Sequence, residues 1–180
     1  MRNAELSDAR PWRLRPPTRK TLLVIHIASG GAWIGIDVVM GVMVFTALGG
    51  DDATRALCYR ALELFAGWPL IVTGLICLAS GVLLGLGTVY GLLRYWWVVV
   101  KLVLNVVLVA LVAILLRPGV VELAEQGRRF EAGQAAMLAT GQLVFPPIVS
   151  TSALIFATIL AVFKPWGLIR KRQAPARNAE

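Results

Sequence analysis

The sequence predicts an all-α protein, an integral membrane bundle of four helices with both termini in the cytoplasm. Three observations predict it. Hydrophobic residues make up 58% of the 180 positions and charged residues only 16%, against roughly 45–50% and 25% in ordinary soluble domains. Mean hydropathy is +0.74, so a water-soluble globule of this length would have to hide more apolar surface than its volume allows. The apolar residues also fall into four long runs, each near the ~20 residues that cross a bilayer core.

The first run covers about residues 21–48 and follows a basic arm at 1–20. It is much longer than the ~7–15 apolar residues of a cleaved signal peptide, so it reads as an anchored helix. The second run spans about 62–86, the third 95–116 and the fourth 137–163, and a basic tail occupies 164–180. A loop with Asp51, Asp52 and Arg55 joins the first two, and a short turn around Gly87–Arg94 joins the next two. In the polar stretch after Arg117, residues 118–136 read as a surface helix that turns Val121, Ala124 and Phe130 towards lipid or protein. Pro11, Pro16, Pro17 and Pro175 disfavour regular structure in the tails.

Pro69 and the pair Pro146 and Pro147 fall a few residues inside the outer ends of their runs, where a missing donor can kink a helix. Ser150, Thr151 and Ser152 follow, with hydroxyls able to satisfy freed backbone groups. Gly31 with Gly35 and Gly81 with Gly85 form GxxxG pairs on the first two helices, a pattern that suits close packing within the bundle. Cys58 and Cys77 read as sharing one helix, ~28 Å apart, too far to be bridged. Cys77 reads as a small packing residue.

Lys+Arg 18 against Asp+Glu 10 gives a net charge of +8. That excess lies in tails and helix ends with no aromatic-interleaved groove, so nucleic acid is not an expected partner. Arg2, Arg10, Arg13, Arg15, Arg19 and Lys20 share one side with Arg94, Lys164, Arg170, Lys171, Arg172 and Arg177. The other side holds Arg55, Arg60, Arg117, Arg128 and Arg129, offset by six carboxylates from Asp51 to Glu131. The positive-inside rule then puts both termini in the cytoplasm. Tyr90, Tyr95, Trp96, Trp97 and Trp166 fall at that same interface, where amphipathic rings settle. The expected partners are the bilayer itself, anionic lipid at the basic tails, and a homo- or hetero-oligomeric neighbour.

Ionisable groups at membrane depth are costly and are the first place to look for function. His26 is the one histidine, a candidate metal or haem ligand or proton relay, or else a buried imidazole bonded to a hydroxyl or carbonyl. Gly30, Trp33 and Asp37 share its helix face within about 40°. Lys101 lies at similar depth on the third helix with Asn105 one turn on; it either faces His26 or snorkels to the interface. Asp37 lies nearer the outer end, with Arg60 and Arg117 as expected ion-pair partners, and proton or cation handling is the second reading. Met40, Met43 and Met137 lie too near the outer face to serve as partners of His26. No CxxC, HExxH, P-loop or GxSxG pattern is present, so no zinc or nucleotide hydrolysis is expected. One histidine also excludes a bis-histidine haem within one chain.

His26-Ile-Ala-Ser-Gly-Gly-Ala-Trp33-Ile-Gly35 on the first helix and Trp97-Val-Val-Val-Lys101-Leu102 on the third resemble the small membrane proteins around the CopD copper-resistance domain and the HemJ-type protoporphyrinogen oxidase. With Lys164-Pro165-Trp166-Gly167, the chain is similar to four-helix integral membrane proteins of actinobacteria over roughly residues 20–167. The HemJ likeness implies a haem-associated site, haem b, at His26 and Lys101. Val99 stands where that type often has a second histidine, and the third helix has none further on. CopD-like copper handling would want a Met/His-rich external loop, which this chain lacks.

Two main readings follow. The sequence slightly favours an accessory or scaffold subunit without chemistry of its own, because a second ligand is missing. The alternative is a haem, porphyrin or metal-binding redox protein using His26, Lys101 and Asn105. Proton-coupled transport through Asp37 is a third reading, without the repeats and broken helices common in transporters.

Overall fold

A computed structural model describes residues 13–88, 91–134, 143–164 and 167. Arg2, Arg10, Pro11, Tyr90, Met137, Trp166, Arg170, Lys171, Arg172, Pro175 and Arg177, and the expected start of the fourth helix, lie outside these residues. The chain is all-helical, with no strand among the described residues. Four helical stretches are long and apolar enough to cross a membrane, at Pro16–Gly49, Asp52–Leu86, Trp96–Glu131 and Phe145–Phe163.

Helix α1 runs Pro16–Gly49 and begins five residues before its apolar run. The reason is local: Pro16 and Pro17 occupy the first turn, where a missing N–H costs nothing and a fixed φ suits the helix. The Leu14 N–H bonds the Gly87 carbonyl at 3.1 Å, tying the start of α1 to the end of the second span. The buried positions of α1 are Ser29, Trp33, Asp37, Met40, Val44 and Ala47, one stripe at three- and four-residue steps.

The second span is two helices, α2 (Asp52–Ala66) and α3 (Trp68–Leu86), separated at Gly67. Pro69 therefore does not kink a continuous helix. It sits in the first turn of α3, where the absent donor has no partner to lose. The break also places Cys58 and Cys77 on different helices, and both are free.

The third span behaves in the opposite way. Helix α4 (Trp96–Leu111) passes through a π turn at Val112–Leu116 into α5 (Arg117–Glu131). In a regular helix the ring of Pro118 would press on the carbonyl of Ile114, and the wider π turn relieves that contact. The expected surface helix is thus an extension of the third span. It buries Val120, Leu123, Ala124 and Gly127, while Val121 is exposed and Phe130 half-buried. Helix α6 (Phe145–Phe163) has Pro146 and Pro147 in its first turn, so these also start a helix rather than bend one.

Helices α1, α3, α4 and α6 close a ring in which α1 touches α3 and α6, and α4 touches the same two. Opposed residues fix the register. Trp33 meets Gly74, Gly30 meets Cys77 and His26 meets Gly81 along the antiparallel α1–α3 pair, and Gly41 meets Pro147 of antiparallel α6. Helices α2 and α5 pack on each other, and α2 packs on α1, forming a helical cap. There the Cβ-less Gly127 lies against the Ala56 backbone, and Arg128 bridges Glu63 at 2.7 Å while Arg60 bridges Glu131. The continuous core runs through the cap and the adjoining half of the ring, from Trp33 and Met40 to Leu62, Leu116 and Val120.

One GxxxG expectation is corrected. A Cβ on Gly31 or Gly35 would meet nothing within 4 Å, so this pair packs closely against no other helix among the described residues. The close approaches on α1 belong instead to the face that carries Gly30 and Trp33.

Candidate functional site

The other half of the ring, towards the start of α1, holds a half-open cavity of about 540 Å³ between α1, α3, α4 and α6. Its volume lies inside the ~300–1,000 Å³ of small-molecule sites. Its lining is mostly Leu, Val, Ile, Ala and Gly, with His26, Cys77, Lys101 and Asn105 on the walls, Arg19 also lining it and no acidic residue. All three residues read from the sequence as cofactor-binding therefore line one space.

His26 is held by the facing segment of α3. Its Nδ1 lies 2.9 Å from the Cys77 carbonyl oxygen and 3.1 Å from Ser80 Oγ. The Ser80 hydroxyl donates to the Ile76 carbonyl at 2.7 Å, so it presents a lone pair to the imidazole. Both oxygens beside Nδ1 are thus acceptors, which assigns the ring proton to Nδ1, and the Cys77 Sγ, 3.7 Å away, can accept weakly as well. Nε2 keeps its lone pair and has no hydrogen-bond partner among the described residues. A backbone carbonyl fixing one ring nitrogen while the other stays free is the arrangement that orients a ligating histidine.

Gly81 makes room for the ring. A Cβ there would stand 3.0 Å from His26 Cε1 and 3.4 Å from Nδ1. Cys77, Ser80 and Gly81 were not legible as site residues: the cysteine reads as packing and the glycine as half of a GxxxG pair. Their signal is small polar residues at three- and four-residue spacing on one face of α3, which is common in membrane helices for other reasons.

Lys101 makes no salt bridge among the described residues. Its Nζ stands 5.8 Å from the centre of the Trp97 ring, close enough for cation–π attraction. The Asn105 amide, one turn further along α4, has a buried Oδ1 with no partner.

Asp37 lies outside this cavity, two turns beyond Gly30. It is 1% exposed, and its Oδ2 accepts the Ser150 hydroxyl at 2.6 Å while Oδ1 is unpartnered. The expected ion pairs with Arg60 and Arg117 do not form. Arg60 pairs with Glu131 at the cap surface, and the Arg117 guanidinium lies 4.8 Å over the Trp68 ring. The reason is positional, because Asp37 turns into the dry core where a guanidinium would be costly to bury. Ser150 accordingly serves Asp37 rather than the backbone of its own helix. No group of three or more His, Cys, Asp or Glu poised for a metal ion is present among the described residues.

Comparison with family models, curated proteins and solved structures gave no match.

Proposed function

We propose that the chain is an integral membrane bundle that holds a tetrapyrrole, haem b in the simplest case, in the cavity between its four spans. The observation that carries this reading is the His26 imidazole, pinned through Nδ1 to the Cys77 carbonyl with Nε2 free, on the wall of a 540 Å³ apolar cavity. A bare metal ion would need several protein ligands, and no such cluster exists among the described residues. A tetrapyrrole brings four nitrogens of its own and asks the chain for one axial ligand.

The rest of the lining fits that group. Lys101 and Arg19, with no carboxylate beside them in the cavity wall, offer positive charge to the acidic side chains of a tetrapyrrole. The walls are mostly apolar, and Asn105 has an acceptor to spare. Bound haem would supply one-electron chemistry. The chain's own part is to hold the imidazole in one tautomer and orientation and to neutralise the acidic edge.

Membrane placement rests on the surface. Val24, Val42, Ile148 and Phe163 are 65%, 62%, 51% and 74% exposed on the outside of the ring, an apolar belt that water would not tolerate. At 1.5 Å per residue α6 is about 28 Å long, close to the ~30 Å hydrocarbon core. The longer spans then carry the α2–α5 cap beyond the bilayer. The basic arm and tail support the cytoplasmic side of a bacterial plasma membrane for both termini.

The test is the visible absorption spectrum of detergent-purified protein, as isolated and after adding haem, beside His26→Ala. A stoichiometric Soret band that the substitution removes is the expected result. A colourless protein that also ignores added haem would end the tetrapyrrole reading and return the accessory-subunit reading, to be pursued through its partners.

A further inference from the structure

The cavity beside His26 is open along one seam of the ring. Arg19, Leu23, Ile27 and Gly31 of α1 and Thr158 of α6 line it and are exposed, whereas no cavity-lining residue of α3 or α4 is exposed. The opening therefore lies between α1 and α6. The four α1 residues recur at every fourth position, so they form one slowly winding stripe and edge a slit ~18 Å long rather than a hole at the helix end. At the end where α1 starts, Leu14 lies against Gly87 and Leu92 against Gly85, which closes the ring there on its α3 side.

The register accounts for the slit. Helices α1 and α6 touch where Gly41 meets Pro147. Counting away from that pair along two antiparallel helices of equal rise sets Gly31 opposite Ala157 and Ile27 opposite Ala161. Ala157 and Ala161 also line the cavity, yet a Cβ on Gly31 would meet nothing within 4 Å, so the two helices have parted at this level. The lips of the gap are apolar. Even the Thr158 hydroxyl gives its proton to the Leu154 carbonyl of its own helix, at 2.9 Å. Exposed Ile159 and Val162 flank the gap on α6, so it opens into the belt that faces hydrocarbon.

We infer that the cavity takes its occupant sideways from the bilayer through the α1–α6 slit, and that this occupant is a membrane-dissolved amphiphile with an apolar body and an acidic end. The apolar lips admit such a body without stripping water from either surface. Arg19 at one end of the slit and Lys101 within, with no carboxylate in the wall, offer the acidic end its counter-charge. This route rests on the proposed membrane placement of the cavity. A tetrapyrrole acid and a long-chain fatty acid both have the required chemistry, so the route survives the loss of the tetrapyrrole.

Cys77 lines the cavity from α3 while Cys58 lies in the cap, so Cys58→Ala leaves one thiol that reports entry. The experiment labels this protein in liposomes with N-pyrenylmaleimide, which dissolves in the bilayer, and with a sulfonated maleimide, which does not, each rate taken relative to detergent-unfolded protein. The bilayer reagent is expected to label Cys77 faster. Gly31→Trp with Ala157→Phe fills the slit, so entry must wait on local opening and should slow about tenfold, while Ala79→Trp on the exposed face of α3 leaves the rate unchanged. Labelling no faster from the bilayer than from water, or unchanged by the filled slit, overturns the route. Should the double variant not fold, Ile27→Trp obstructs the same slit, and unchanged labelling there overturns it equally. Palmitate or haem in excess should protect Cys77 and methyl palmitate should not. Protection by palmitate but not haem keeps the route and ends the tetrapyrrole reading; protection by haem supports both; protection by neither, or by the ester equally, overturns the acidic amphiphile.

Discussion

Substituting Gly74 by alanine tests what sets the distance between α1 and α3. The new Cβ would stand 2.6 Å from Trp33 Cζ3, 2.9 Å from Cη2 and 3.0 Å from Val109 Cγ2. Carbon atoms in good contact sit about 3.5–4.0 Å apart, so the indole must retreat by roughly 1 Å, and Trp33 is 0% exposed. Overpacking of this kind costs about 1–3 kcal/mol, and the better helix propensity of alanine returns up to ~1 kcal/mol. A net loss of about 1–2 kcal/mol is expected. Gly31→Ala is the matched control, because nothing lies within 4 Å of its new Cβ; it should be neutral or gain up to ~1 kcal/mol. Unfolding of both variants in mixed micelles, titrated with a denaturing detergent, gives the two values. Trp33→Phe deletes Cζ3 and Cη2, so Gly74→Ala should cost about 1 kcal/mol less in that background. A Gly74→Ala protein as stable as wild type, or a loss unchanged by Trp33→Phe, would refute the assignment of this contact as the spacer.

Gly127→Ala places a Cβ 2.8 Å from the Ala56 carbonyl oxygen, and backbone cannot rotate away. The α2–α5 pair should therefore part, at about 1–3 kcal/mol, with faster amide exchange in the cap while the α1–α3 pair stays protected; unchanged exchange in the cap would refute this. Asp51 Oδ1 accepts the Thr54 N–H at 2.8 Å; the Thr54 hydroxyl first, then this N–H, and last the charge of Arg55 hold its carboxyl below the usual range. The folded-state value is depressed, so its support for α2 is complete above the ordinary carboxyl value and fades as pH falls through the lowered one. Melting midpoints followed by circular dichroism should show that acid loss in wild type and a shallower one in Asp51→Asn, which keeps the acceptor; identical profiles would exonerate the cap.

The site was half legible for a physical reason. His26, Lys101 and Asn105 could be picked out because an ionisable or amide group at membrane depth is anomalous by itself. Their shared depth follows from counting along helices of fixed rise. What holds the imidazole could not be read, since Cys77 contributes a backbone carbonyl, which every residue possesses. Asp37 shows the same limit. Its burial was foreseeable from the stripe with Trp33, but its partner was not, because a serine hydroxyl from α6 reaches it and two arginines of the right charge do not.

The sequence by itself determined the four apolar spans, the basic ends and the all-helical architecture, because hydropathy and charge are summed along the chain and need no knowledge of neighbours. Only the tertiary structure decided how prolines were used: Pro69, Pro146 and Pro147 open helices, while Pro118 is carried through a π turn. A proline forbids one donor and one contact, and the surroundings choose between breaking the helix and widening it. Packing was decided there too. Gly31 and Gly35 look identical to Gly81 and Gly85 in the sequence, yet among the described residues only the second pair meets side chains of its own chain. Helix α1 is apolar nearly all round, so its hydrophobic pattern does not say which face turns inward. That choice belongs to the shapes that meet across the helix, a tryptophan against a glycine and an imidazole against another.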